Sequence, residues 1–108
     1  MSHQVRITVL KKSFCEDFVD SYTEADLWHP CDLFYEGQTF ISDGWMPEEF
    51  CSWAWSDILK YVVTLARGGN MRGVKPGTFV TCCTDGFRPV FFKLERVEGG
   101  QGASPPSA

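Results

Sequence analysis

No apolar run in this 108-residue chain approaches the ~20 residues that span a bilayer, so a membrane protein is not expected. The opening residues, Met1-Ser2-His3-Gln4-Val5-Arg6, lack the charged-then-apolar pattern of a secretory signal, and the expected compartment is the cytoplasm. Lys and Arg are missing altogether from residues 13–59, which carry eleven acids. Phosphate backbones need clustered basic side chains, so nucleic-acid binding is not expected. No two cysteines stand in Cys-x-x-Cys spacing, which removes the zinc-knuckle and thioredoxin signatures. No internal repeat and no Walker loop is present.

What the chain does contain is one domain's worth of apolar residues, 44% of the total, and a formal charge of -4. That charge is unevenly laid out, at +3 over residues 1–12, -11 over 13–59 and +4 over 60–108. The simplest expectation is that the acidic middle lies against the basic ends. All four tryptophans fall between residues 28 and 55, in the same stretch as Cys31 and Cys51. Large aromatics fill cores, but indole N–H groups want partners, so they also line pockets.

Strict alternation from Gln4 to Leu10 predicts a half-buried strand with Val5, Ile7 and Val9 inward. Ser13 and Glu16 have capping-box spacing, which predicts a helix over 14–22 with Phe14, Phe18 and Tyr22 on one stripe. His29-Pro30 breaks the segment 24–36, and Gln38 to Ser42 reads as a short strand bounded by Asp43-Gly44. Ser52 is the expected cap of the main helix, Trp53 to Arg67. Its stripe is Trp55, Ile58, Leu59, Val62, Leu65 and Ala66, and Gly68-Gly69 ends it. Thr78–Thr84 and Val90–Val97 read as a hairpin around Asp85-Gly86-Phe87-Arg88-Pro89, with Val90, Phe92 and Leu94 facing the helix. In that turn Asp85 suits an Asx turn and a structural pair with Arg88. The order β-α-β-α-β-β defines an α+β fold with a small mixed or antiparallel sheet and one main packed helix. It is expected to fill residues 1–98 as a single domain. Residues 99–108, rich in Gly, Ser and Pro, are expected to form a disordered tail.

The five cysteines carry the chemistry. Cys15 stands alone in the first helix. Cys31 follows a proline in a loop, and Cys51 precedes the main helix, where a thiolate would face the helix's N-terminal amides. Cys82 and Cys83 are neighbours near a strand end, so in regular geometry they point to opposite faces. Inert packing is one reading, because cysteine behaves as a small hydrophobe. A thiolate metal site is another, for zinc or an iron–sulfur cluster, with His29 a lone and weaker nitrogen donor. A reactive thiol is the third, at Cys51 or Cys83. Arg67-Gly-Gly-Asn-Met-Arg-Gly-Val-Lys75 mixes basic residues with glycine, but it follows a helix C-terminus and reads as a connector.

Three stretches go further: Pro30-Cys31-x-Leu33-Phe34-x-x-Gly37-Gln38-x-Phe40, Phe50-Cys51-x-Trp53-Ala54-Trp55-x-Asp57-Ile58, and Cys82-Cys83-Thr84-Asp85-Gly86-x-Arg88-Pro89-Val90-x-Phe92-Lys93. Together they resemble a family of small uncharacterised prokaryotic proteins marked by four cysteines, two of them adjacent. The resemblance runs from Val5 to Val97. It implies that Cys31, Cys51, Cys82 and Cys83 belong together, and that Cys15 and His29 stand outside the pattern. It implies no established activity.

The leading expectation is a cytoplasmic protein that binds a thiophilic metal, zinc or iron–sulfur, through Cys31, Cys51, Cys82 and Cys83. The pocket around it would be walled by Trp53 and Trp55, with Asp57, Asp85 and Arg88 nearby. One alternative is a thiol-dependent enzyme or redox protein using Cys51 or Cys83 on a small molecule. Another is a non-catalytic interaction module, accessory to a larger enzyme, for which a protein partner or a homodimer is the expected assembly.

Overall fold

The structure is a computed structural model that describes residues 3–24 and 27–97. The expected tail, 99–108, lies outside the described residues. Alternation does what it should at the start of the chain. In β1 (Gln4–Lys12) the side chains of Val5, Ile7 and Val9 are fully buried. The strand runs two residues beyond the expected end, because a register shift between Val9 and Lys11 lets Lys11 and Lys12 pair onward with Phe91 and Val90. A bulge of this kind resets the period, so alternation alone stops short of it.

Helix α1 (Glu16–Tyr22) is shorter than expected and begins after Cys15, with no side-chain cap. The capping box does not form. The Ser13 and Cys15 amides donate to the carbonyls of Pro89 and Phe87, both at 2.8 Å, and hold this segment along the neighbouring turn. Only Val19 is buried, and of the predicted stripe Phe14 lies half-buried ahead of the helix while Phe18 and Tyr22 are 49% and 76% exposed.

β2 (Thr39–Ser42) pairs antiparallel with β1. Helix α2 (Ser52–Ala66) takes Cys51 rather than Ser52 as its cap residue, with the Trp55 amide donating to the Cys51 carbonyl at 2.9 Å. Ala54, Ile58, Val62, Leu65 and Ala66 are buried, whereas Leu59 is 38% exposed. Gly68, at φ +90, ends the helix: its amide reaches the Leu65 carbonyl and that of Gly69 reaches Thr64. This is the Schellman arrangement, which glycine permits without strain. The Arg96 guanidinium adds donors to the carbonyls of Leu65 and Gly69.

β3 (Thr78–Cys82) and β4 (Val90–Val97) form the expected hairpin, with the register Thr81↔Phe92 and Cys82↔Phe91. The sheet order is β2-β1-β4-β3, antiparallel throughout, and α2 packs on one face against β1, β3 and β4. The core lies between that helix and that face. At one end it becomes aromatic, where Phe34, Phe50 and Phe92 meet with ring centroids 5.1–5.7 Å apart. No helix among the described residues is long and apolar enough to cross a membrane.

Arg6–Glu95, Arg88–Asp85 and Lys93–Glu95 are ion pairs among the described residues, and none of these three uses an acid from residues 13–59.

Candidate functional site

A largely apolar groove of about 590 Å³ opens where the N-terminus of α2, the turn after β3 and the loop before β2 come together. Its size lies in the ordinary range for a small-molecule site. Three of the five cysteines line it, each from a different segment: Cys31 from the loop, Cys51 from the cap of α2 and Cys83 from the end of β3. All three are half-buried and pack against the core.

Strand alternation separates the adjacent cysteines. Phe79 and Thr81 pair with Leu94 and Phe92 on the face that carries α2, and Cys83 follows in the same parity. Cys82 pairs with Phe91 and shares the opposite face with Val80 and Lys93. The groove therefore takes Cys83 and leaves Cys82 outside. Burial pushes the Cys82 thiol up from its ordinary value, and the neighbouring charges of Cys83 and Asp57 add to that. Cys15, at the cap of α1, also lies outside the groove.

The groove walls are held by internal contacts. The Cys83 amide donates to the Val90 carbonyl at 3.1 Å, and the Val90 amide donates back to the Cys83 sulfur at 3.3 Å. The Lys12 ammonium donates to the Cys31 carbonyl at 2.8 Å and so ties the loop to β1. Asp57, one turn into α2, accepts the Thr84 amide at 2.9 Å and the Thr84 hydroxyl at 3.1 Å, which fixes the turn after β3 to the helix. Asp85 accepts the amides of Phe87 and Arg88 in an Asx turn and pairs with the Arg88 Nε at 3.1 Å. The guanidinium lies 4.9 Å over the Trp28 ring and reaches the His29 carbonyl, joining the turn to the loop. Trp28 in turn packs on Phe87 with centroids 5.0 Å apart.

Asp57, Asp85 and Arg88 thus stand at the groove as the sequence suggests, and Trp53 forms its rim at 83% exposure. Trp55 does not line it. Two residues along a helix turns a side chain through about 200°, and Trp55 packs against Phe50 instead. Sequence reasoning missed Trp28, Phe34 and Phe87. Trp28 and Phe87 sit in irregular segments without a period, and their one signal is an aromatic beside turn residues. His29 turns its ring to its neighbour's carbonyl, at 2.8 Å from Pro30 O, and does not line the groove. The glycine-rich connector lies elsewhere and is pinned by Asn70, whose carbonyl accepts the Gly77 amide and the Arg96 guanidinium, both at 2.8 Å.

Among the described residues no group of three or more His, Cys, Asp or Glu side chains is arranged to hold a metal ion. The expected four-thiolate set meets a backbone obstacle as well, since Cys82 and Cys83 face opposite sides of the sheet. Fold and site together define an α+β domain with a thiol-lined aromatic groove. Comparison of the chain with protein-family models, curated proteins and solved structures finds no match.

Proposed function

We propose that the groove is the working site of a thiol-dependent enzyme or redox protein acting on a small molecule, with Cys51 as the reacting thiol. The observation that carries this reading is the convergence of Cys31, Cys51 and Cys83 on one aromatic-walled groove. Cys51 stands at the start of a 15-residue helix, and no cap hydrogen bond occupies its sulfur. The positive end of a helix dipole lies at this position. Cys83, whose sulfur accepts the Val90 amide, is the alternative reacting thiol. Five free thiols suit a reducing compartment, which keeps the cytoplasm as the proposed location.

Residue-resolved alkylation of the folded protein tests the proposal. Iodoacetamide at neutral pH, followed by mass spectrometry, is expected to label Cys51 at least about tenfold faster than Cys82. Equal, slow labelling of all five cysteines would overturn it.

The same convergence supports a second reading, a thiophilic metal such as zinc or an iron–sulfur cluster held by Cys31, Cys51 and Cys83. It requires the three side chains to swing together from where they stand. Stoichiometric metal in protein purified without oxygen, lost with any one of these cysteines, would favour it over the first.

A further inference from the structure

The thiols say how the groove reacts, and its other polar groups say what it admits. Apart from the three thiols, every ionisable side chain described at the groove is already engaged within the protein. The Asp57 carboxylate takes two donors from Thr84. The Asp85 carboxylate takes two amides and the Arg88 Nε. The Arg88 guanidinium is neutralised by Asp85, reaches the His29 carbonyl and is covered on one side by Trp28. What remains for a ligand is apolar: the Trp53 ring, Leu33, Ala54, Val90 and the walls of Trp28 and Phe87. Leu33 and Trp53 are largely exposed, at 61% and 83%, and Trp53 has no aromatic or cationic partner among the described residues. Two apolar side chains left open at the mouth of a groove gain most by covering an apolar guest.

We infer that the groove takes an uncharged, planar apolar molecule, an aromatic ring system held against Trp53, and discriminates against anions of the same shape. An anion brought into it would shed water without finding an unspent cation among the described residues. This rests on the thiol reading only in using the same groove, and the ligand class stands or falls by itself.

The test uses two probes that share one ring system, 2-naphthol and 2-naphthoate. Each is titrated into the ¹⁵N-labelled protein while the amide and indole N–H resonances are followed. The expected result is that 2-naphthol binds at least about tenfold more tightly than 2-naphthoate. Its shifts should centre on Trp53, Trp28 and residues 83–88. Its affinity should be unchanged between about 0.05 and 0.5 M salt, because no charge pair is there to screen. Trp53→Ala should weaken it on the order of tenfold, the worth of one aromatic contact. Leu33→Ser is the second variant if Trp53→Ala does not fold. Equal or tighter binding of 2-naphthoate, shifts away from the groove, or no binding of 2-naphthol at all would overturn the inference. Alkylation of the same samples keeps the two proposals apart. Naphthol binding with a slow Cys51 removes the thiol reading alone, and a fast Cys51 without naphthol binding removes this one alone.

Discussion

At the residue scale, Cys82 is the informative cysteine because it is the one left out. Burial raises its thiol first, and the charges of Cys83 and Asp57 raise it further. Above the ordinary thiol value of 9.0, the unfolded chain releases a proton that the folded chain keeps. Stability therefore falls as pH climbs from there through the raised value, and it is fully present below. Cys82→Ser should flatten that alkaline decline in urea midpoints. Asp57→Asn should make Cys82 label faster at alkaline pH, since one of the charges opposing its ionisation is gone. A wild-type midpoint that rises through the alkaline window would contradict this account of Cys82. The opposite placement of Cys82 and Cys83 was legible from the two-residue period of a strand. Which of them met the groove was not, because that depends on where α2 lies.

At the element scale, α2 carries the core and presents Cys51. Ile58 is fully buried and Leu59, its neighbour, is partly open to solvent. Ile58→Ala should cost about 2–5 kcal/mol in denaturant unfolding, through lost burial and the cavity left behind. Leu59→Ala should cost less than about 1 kcal/mol, as surface changes do. Equal losses would mean that α2 is rotated relative to this description. The helix's existence, most of its stripe and its glycine stop were readable, because period and Schellman chemistry are local, but Leu59, counted in the stripe, stands partly open to solvent. Its cap was misread by one residue, since the rule that prefers serine ignores a backbone that begins the helix at Cys51. The same rule failed at Ser13, whose amide is spent on Pro89, a partner 76 residues away in the chain. Trp55 was assigned to the pocket from sequence proximity, and helical rotation carries it to the other side.

At the scale of the whole molecule, the fold brings together what the chain keeps apart. Loop, helix cap and strand end lie 20 to 52 residues from one another at Cys31, Cys51 and Cys83, and the antiparallel order β2-β1-β4-β3 closes them on one groove. The α+β class and the hairpin followed from patterning. The groove did not, because its walls include irregular segments held by Arg88, Asp85 and Asp57 through contacts between distant side chains. The central claim is that thiol reactivity and ligand binding share that groove. Two variants retaining a single cysteine, Cys51 in one and Cys15 in the other, are alkylated with iodoacetamide and titrated with 2-naphthol. The account predicts that the added group at Cys51 abolishes the naphthol shifts while that at Cys15 leaves them intact. Undiminished binding to the protein alkylated at Cys51 would contradict it.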